Sequence, residues 1–288
     1  MSLKGGGLTL TTKFMSSGED YRSASVILVG VPMDFTSSFK PGSRFAPQKI
    51  RHVSVGLEEY SVYLDKSLKD VRFYDSGDLD IPFGNVDESL CIISKAAKEI
   101  LDDSKTPFFI GGEHLISVPV IKSVYDKYGD DLIVIQFDAH ADLRSDYLGC
   151  PNSHASAVRR LTDFMQGKRI FQFGIRSGTK EEFDYARENT NLFKFDVFQP
   201  LKSVLADLKG YPVYVTLDID VVDPAFANGT GTPEPGGISS NEMLQTVGLL
   251  KELNIVGFDI VEVSPPYDIS DRTALLAAKI IREVLMIL

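Results

Sequence analysis

Short apolar segments that alternate with helix-like segments constrain the fold of this chain more than any other feature. Eight segments are rich in β-branched and aromatic residues, and several are apolar without interruption, as parallel strands covered on both faces are. They lie at Val26–Val31, Val71–Tyr74, Pro107–Ile110, Leu132–Phe137, Arg169–Phe173, Leu192–Phe195, Pro212–Leu217 and Ile255–Val261. Periodicity predicts helices between them at Asp87–Asp103, Leu115–Tyr128, Ala155–Met165, Asn241–Leu253 and Ala274–Met286.

This alternation of strands and helices predicts an α/β fold with a parallel sheet and right-handed crossovers. A closed barrel of eight βα units would show the same periodicity, so the pattern alone permits an open sheet or a barrel. No break in composition marks a linker, and we expect a single domain over residues 1–288, with the first few residues left out of the fold. Both architectures place functional groups at the carboxyl ends of the strands.

The charge balance bears on the class of partner. The chain has 40 acidic and 30 basic side chains, a formal net charge of −10, which argues against nucleic-acid binding because such surfaces are basic. An acidic field favours cationic small molecules or metal ions, and it also serves solubility. Cys91 and Cys150 form no CxxC pattern or disulfide framework, and no run of 18 apolar residues could span a membrane. We therefore expect a cytoplasmic protein.

Three of the predicted strands run directly into acidic residues and histidines. These residues are Asp138, His140 and Asp142 after one strand, Asp218 and Asp220 after a second, and His114 after Gly111-Gly112-Glu113 at the end of a third. Alternate side chains of an extended segment point to the same side, so the members of each group can converge. Four carboxylates at one edge of a sheet are unfavourable unless cations neutralise them.

A pair of divalent ions would balance this charge. Two such ions carry +4 against the −4 of the four aspartates, and the two histidines add neutral donors. A set rich in oxygen donors, with two imidazoles and no thiolate, suits Mn²⁺, and also Fe²⁺ or Co²⁺, better than it suits a structural zinc site. Any one aspartate after a strand could serve as a helix cap or turn residue. The combination of all six residues favours a dinuclear metal site.

The segment Asp218-Ile-Asp220 has a second interpretation. It resembles the first motif of phosphatases of the haloacid dehalogenase type, in which an aspartate is the nucleophile and one Mg²⁺ is bound. In that family the motif lies early in the chain, whereas here it lies about three-quarters of the way along. Residues 138–142 would also have no role, so the dinuclear interpretation is favoured.

Taken in order, the motifs of this chain resemble those of the arginase–agmatinase family of ureohydrolases, and the resemblance covers nearly the whole chain. The matching motifs are Gly-Gly-Glu-His at 111–114, Asp-Ala-His-Ala-Asp at 138–142, Ser-His-Ala at 153–155, Leu-Asp-Ile-Asp-Val-Val-Asp-Pro at 217–224, Gly-Thr-Gly-Thr-Pro-Glu-Pro-Gly-Gly at 229–237 and Glu-Val-Ser-Pro at 262–265. The resemblance is closest to archaeal-type agmatinases. It implies a three-layer α/β/α sandwich around an eight-stranded, mostly parallel sheet, and not a barrel.

The resemblance also implies a binuclear manganese centre. One ion would be held by His114, Asp138, Asp142 and Asp218. The other would be held by Asp138, His140, Asp218 and Asp220, with Asp138 and Asp218 as bridges. A hydroxide that bridges the two ions would attack the planar guanidinium carbon, and the tetrahedral intermediate would collapse to urea and an amine.

Four residues take roles in catalysis from the same resemblance. Asp142 would hold and orient the hydroxide. Glu262 would pair with the substrate guanidinium, which a carboxylate matches in geometry, and Thr232 would contact the guanidinium as well; an exposed glutamate at a strand end is the alternative for Glu262. His154 would protonate the leaving amine, and a histidine near a helix N-terminus without a catalytic role is its alternative. His52 matches no motif and is expected at the surface.

Three features favour a decarboxylated substrate such as agmatine over arginine. Residues 231–237 read like those of agmatinases, and so do residues 173–178 and 34–51. The loop Leu143–Ser153 lacks the Thr/Ser-rich run with which arginases bind an α-carboxylate. Arg144 in this loop could still bind an acid, which leaves that argument the weakest of the three.

Two departures from the family pattern leave other substrates open. Glu113 replaces the aspartate most common before the ligand histidine, and the loop between Asp142 and His154 differs in length from that of several members. Arginine, aminopropylagmatine, guanidinobutyrate and formiminoglutamate therefore stay as alternatives to a cationic guanidino amine. We expect hydrolysis of agmatine to putrescine and urea, in polyamine biosynthesis, by a homo-oligomer that is a trimer or hexamer by resemblance. A non-catalytic, metal-bound scaffold is disfavoured because the ligand set is complete.

Overall fold

Nine strands form one sheet in the computed structural model, which describes residues 8, 9 and 12–288. The strands are β1 (Leu8–Thr9), β2 (Val26–Gly30), β3 (Phe73–Leu79), β4 (Thr106–Ile110), β5 (Ile133–Phe137), β6 (Ile170–Ile175), β7 (Asn191–Lys194), β8 (Pro212–Asp218) and β9 (Asn254–Val261). Their order across the sheet is β1-β3-β2-β4-β9-β8-β5-β6-β7. Within this sheet, strands β2 to β9 are parallel and β1 pairs antiparallel with β3.

Helices cover both faces of this sheet. They are α1 (Ala46–Ser54), α2 (Val86–Asp102), α3 (Ser117–Tyr128), α4 (Ala157–Leu161), α5 (Lys180–Asn189), α6 (Phe198–Leu208), α7 (Ser240–Leu249) and α8 (Arg272–Leu285). Alternate residues of β2 enter different cores: Val26 and Leu28 pack with α1, α6, α7 and α8, whereas Ile27 and Val29 pack with α2 to α5. The period of two in the strands thus produces two apolar layers, one on each face.

The fold class predicted from the sequence is confirmed as a three-layer α/β/α sandwich around a mostly parallel sheet. The sheet ends at β1 on one side and at β7 on the other, which excludes a barrel. All eight predicted strands are present in the sheet, and β1 adds a short ninth strand to it. Two further short strands, Tyr60–Ser61 and Lys66–Ser67, pair with each other outside this sheet. The prediction that the first few residues lie outside the fold concerns residues 1–7, which are outside the described residues. No helix of residues 12–288 combines the length and apolarity that crossing a membrane requires.

Strand β3 extends further than predicted, because its polar residues are paired. Arg51 on α1 is almost fully buried and donates from Nε to Asp75 Oδ2 at 2.7 Å, and its Nη1 contacts Asp78. Burial of unpaired carboxylates would be costly, whereas this buried arginine lets the strand run on through Asp75 and Asp78. His52, next to Arg51, is exposed as expected.

Three helices were not predicted, namely α1, α5 and α6. Helix α5 has few apolar residues, but Thr179 and Glu182 form a capping box that fixes its first turn. The helix predicted at residues 155–165 is shorter, because regular α-helix is confined to Ala157–Leu161 and turns follow it.

The end of β4 leaves no room for a side chain at Gly112. A methyl group there would lie 1.9 Å from the carbonyl oxygen of Met33. We predict that Gly112→Ala lowers the stability of the fold by about 1–3 kcal/mol or more, as overpacking in a core does, because backbone must move. Thermal unfolding followed by circular dichroism measures the change.

Gly248→Ala is the matched control. In the described part of the chain, the methyl group that this change adds in helix α7 meets no atom within 4 Å other than those of its chain neighbours and the helix's own backbone. Alanine is favoured over glycine in a helix, so the melting temperature should stay the same or rise. An unchanged melting temperature for Gly112→Ala would contradict the packing described for the end of β4.

Candidate active site

Four adjacent strands of the sheet bring the candidate residues to one edge. Strands β4, β9, β8 and β5 are neighbours, and their carboxyl ends lie side by side. The residues that follow them are His114 after β4, Glu262 after β9, Asp218 and Asp220 at the end of β8, and Asp138, His140 and Asp142 after β5. The structure therefore brings together all the residues that the sequence predicted as metal ligands.

The side chain of His114 lies at the centre of the first cluster. Its Nδ1 is 3.0 Å from Asp138 Oδ2, 3.0 Å from Asp142 Oδ2 and 3.6 Å from Asp218 Oδ2. The histidine and the three aspartates are buried. One nitrogen atom thus faces three carboxylate oxygens, which is the arrangement of donors around a shared cation.

A second cluster shares Asp138 with the first. Nδ1 of His140 is 2.9 Å from Asp220 Oδ2 and 3.6 Å from Asp138 Oδ1. His140 is the most exposed of these residues, with a side chain that is 25% accessible. Among the residues that the structure describes, two groups could each hold an ion: His114, Asp138 and Asp218, and Asp138, His140 and Asp220.

The donor atoms of both clusters are arranged better for coordinating metal ions than for hydrogen-bonding to one another. In the described part of the chain, His114 Nδ1 and Asp220 Oδ2 are buried without a hydrogen bond, although other donor atoms are close. Two donors about 2.1 Å from one octahedral ion are about 3 Å apart, which matches the separations found here. The clusters therefore have the spacing and the unsatisfied atoms of a dinuclear site.

Burial makes the negative charge of this edge costly. Burial raises the pKa of Asp218 well above its usual value, and the nearby Asp220 and Asp138 raise it further. Burial likewise raises the pKa of Asp142 to about 7 and that of Glu262 to about 8. These carboxyl groups would therefore hold protons near neutral pH unless cations replaced the protons.

Hydrogen bonds from inside the sheet hold the ligands in place. Gln136 donates from Nε2 to Asp138 Oδ2 at 2.6 Å, and Gln172 on β6 donates to Gln136 Oε1 at 2.7 Å. On the other side, Thr216 Oγ1 lies 2.9 Å from His114 Nε2 and donates to Asp259 Oδ1 at 2.6 Å. Such partners fix the orientation of metal ligands.

Sequence reasoning missed these four supporting residues, although a signal was present. Gln136, Gln172, Thr216 and Asp259 are each a polar residue inside an otherwise apolar strand. A polar side chain in a buried strand needs a partner there, so an interruption of this kind marks a hydrogen-bond network.

Two candidate residues have an unusual backbone conformation. Asp142 has φ 51° and Glu262 has φ 64°, in the left-handed region that residues other than glycine seldom adopt. Glu262 Oε1 accepts a hydrogen bond from the His114 N–H at 2.8 Å, which ties the end of β9 to the end of β4. Strained positions of this kind collect at functional sites.

A cavity of about 270 Å³ opens onto the clusters. His114, His140, Asp142 and Asp218 line its floor, and Glu262, Thr232 and His154 complete the wall around them. His154 is buried, and burial lowers its pKa to about 4, so its imidazole is neutral at physiological pH. All the site residues predicted from the sequence therefore lie in or directly under this cavity.

Comparison with known proteins gives a consistent result over nearly the whole chain. Residues 24–287 match the model of the arginase family. An agmatinase from Bacillus subtilis (strain 168) is 52% identical over 276 residues, or 95% of each chain. The crystal structure of a candidate agmatinase from Clostridium difficile has a TM-score of 0.90 and 43% identity, over 93% of this chain and 98% of that one. For the agmatine ureohydrolase of Thermoplasma volcanium the TM-score is 0.87 and the identity 32%, over 97% and 94% of the two chains.

Removal of His114 tests the geometry of the first cluster. We predict that His114→Ala binds about one divalent ion fewer per chain than the unaltered protein, because three carboxylates then lack their neutral donor. The measurement is the metal content by mass spectrometry after loading with Mn²⁺ and exhaustive dialysis. His52→Ala, which alters an exposed histidine, is the control and should keep the full content. A full metal content in His114→Ala would contradict the role of His114 as a metal ligand in the first cluster.

Proposed function

Because the chain belongs to the arginase family, we propose that it is an agmatinase, which hydrolyses agmatine to putrescine and urea. The single observation that carries this proposal is that Glu262 and His154 line one cavity with the two metal-binding clusters beneath it. Agmatinases that are 50–52% identical in sequence to this chain support the choice of substrate.

The clusters would hold two Mn²⁺ ions, for which their oxygen-rich donors are suited, with Fe²⁺ or Co²⁺ as alternatives. His114, Asp138, Asp142 and Asp218 would bind one ion, and Asp138, His140, Asp218 and Asp220 the other. Two bound ions supply Lewis acidity and lower the pKa of a water molecule so that hydroxide is available at neutral pH. Asp142 would accept a hydrogen bond from that nucleophile and orient it.

The guanidinium group of the substrate would bind beside Glu262. This carboxylate is buried, and one oxygen, Oε1, is already held by the His114 N–H. The other oxygen, Oε2, faces the segment at Gly231 next to Thr232, so it can pair with a cation in the cavity. The raised pKa of Glu262 returns to the ionised range when a guanidinium and metal cations are present.

His154 would protonate the leaving amine. Its imidazole is neutral at rest, since burial lowers its pKa to about 4. The proton that it delivers is therefore one released by the attacking water, and His154 takes it up before the carbon–nitrogen bond breaks.

The cavity wall favours an amine over an acid as the second end of the substrate. Arg144 was the residue that could have bound a carboxylate, but its Nε lies 3.6 Å from Glu182 Oε2. Glu182 is buried and also accepts the N–H groups of Leu143 and Thr179. The charge of Arg144 is thus balanced within the protein, which supports agmatine over arginine or guanidinobutyrate.

Other aspects of the proposal follow from family membership. We expect a homo-oligomer, a trimer or hexamer, that acts in the cytoplasm on a small cationic substrate. We also expect residues 1–288 to form one ureohydrolase domain, and the continuity of the nine-stranded sheet supports this.

A panel of substrates tests the proposed reaction. We predict urea release from agmatine in the presence of Mn²⁺, with kcat/KM for arginine and guanidinobutyrate at least about 100-fold lower, because a mismatch at a buried polar or charged group costs several kcal/mol. Aminopropylagmatine is included in the panel. Formiminoglutamate is assayed by release of formamide. Samples treated with a chelator are the control. Activity on arginine without activity on agmatine would contradict the assignment.

The role of Glu262 has its own test. Glu262→Gln keeps the shape of the side chain and an oxygen for the His114 N–H, but it removes the charge that pairs with guanidinium. We predict that kcat/KM falls by about 10²–10³-fold, the usual cost of removing one such electrostatic contact. Metal content, measured in parallel, should stay unchanged. If metal is lost instead, Glu262 supports the metal site and does not bind the substrate.

A further inference from the structure

The segment that follows β2 contacts His154 through two hydroxyl groups. Ser38 Oγ lies 3.1 Å from His154 Nε2, and Thr36 Oγ1 lies 3.4 Å from His154 Nδ1. Thr36 Oγ1 also accepts the backbone N–H of His154 at 2.9 Å. Both ring nitrogens therefore face a hydroxyl from the same short segment, more than 100 residues away in the sequence.

Glu113 anchors this segment to the metal-binding edge of the sheet. Its two carboxylate oxygens accept the Thr36 backbone N–H at 2.7 Å and the Thr36 hydroxyl at 2.9 Å. Glu113 is fully buried and immediately precedes His114, a candidate metal ligand. A carboxylate that accepts two hydrogen bonds from one residue fixes both the position and the orientation of that residue. The placement of Thr36 is thus set by the strand end that also places His114.

The hydrogen bonds of Thr36 favour one of the two ring nitrogens of His154 as the site of the proton. The single hydroxyl proton of Thr36 is directed to Glu113, so its oxygen can only accept from His154. Thr36 therefore favours the neutral imidazole with its proton on Nδ1, because two lone pairs would otherwise face each other. The hydroxyl of Ser153, 3.5 Å from the same nitrogen, can accept that proton as well. This leaves Nε2 as the acceptor, facing the hydroxyl of Ser38, and both Ser38 and His154 line the cavity.

We propose that Thr36 and Ser38 are positioning residues that hold neutral His154 with its proton on Nδ1 and direct Nε2 into the cavity, where it exchanges the proton of catalysis. The inference rests on the proposed role of His154 as the proton donor. Protonated His154 gives its Nε2 proton to the amine nitrogen as the carbon–nitrogen bond breaks and its electron pair goes to nitrogen. His154 is left neutral with a proton on Nδ1, which is the form that Thr36 stabilises. The same network gives a reason for a glutamate at position 113.

A comparison of two substrates tests the proposal. One is agmatine, and the other is its oxyguanidine analogue, in which oxygen replaces the methylene group bonded to the guanidino nitrogen. The alkoxyamine that leaves from the analogue is a far weaker base than an alkylamine, so its departure needs little help from an acid. Loss of proton delivery therefore slows the hydrolysis of agmatine and leaves that of the analogue unchanged, whereas general damage to the site slows the hydrolysis of both.

The variants are Ser38→Ala and Thr36→Val, with Thr36→Ser as the conservative rescue. We expect kcat for agmatine to fall about 10- to 100-fold with little change in KM, a part of the roughly 10²–10⁴-fold that a positioned acid contributes. The rate on the analogue should stay within about twofold, and Thr36→Ser should restore the rate on agmatine. Ser37→Ala, which removes the neighbouring hydroxyl, is the matched control and should behave as the unaltered enzyme.

His154→Ala separates this inference from the proposed function. It should show the same selective loss on agmatine. If His154→Ala loses activity on both substrates equally, or on neither, the role of His154 in the proposed function is wrong. The positioning proposal is overturned by a different result. In that case His154→Ala shows the selective loss, but Ser38→Ala and Thr36→Val either keep full activity or lose activity on both substrates equally. Should Thr36→Val fail to fold, Ser38→Ala decides the matter alone.

Discussion

The structure depends above all on the concentration of buried negative charge at the carboxyl edge of the sheet. Five carboxylates, from Asp138, Asp142, Asp218, Asp220 and Glu262, lie there with little access to solvent. Such a cluster is stable only if cations or protons compensate it. The pKa values of three members are raised by burial, so the site is poised to exchange protons for metal ions. The strand order matters because it makes neighbours of the four strand ends that carry these carboxylates and His114.

A second requirement follows from the first, since each ligand must be held where the ions need it. The strands contribute polar residues for this purpose: Gln136 bonds to Asp138 and is itself held by Gln172, and Thr216 bonds to His114 and is itself held by Asp259. The series of hydrogen bonds continues outward, because Thr190, next to β7 at the edge of the sheet, donates to Gln172. Two lines of hydrogen bonds thus run through strands of the sheet and lead to the metal-binding clusters.

The sequence predicted the residues of the clusters because their arrangement follows from local rules. Directly after β5, alternation along an extended segment places Asp138 and His140 on one side, and parallel strands end at one edge. The contacts of Thr36 and Ser38 with His154 have no comparable local signal, because they depend on how a loop crosses the sheet edge. The left-handed backbone of Asp142 is likewise imposed by its surroundings. Helix α5 escaped prediction because it buries few apolar residues, although its capping box was visible in the sequence.

The place of β9 has a consequence for how the chain assembles. It is the last strand along the chain, yet it lies between β4 and β8 and is what joins β1–β4 to β5–β8. Until residues 254–261 have left the ribosome, each half of the sheet has an open inner edge that could pair with another chain. His114 belongs to one half and its aspartate partners to the other, so capture of the ion that His114 binds should come only after this final insertion. Metal uptake by the nascent protein would then report the completion of folding.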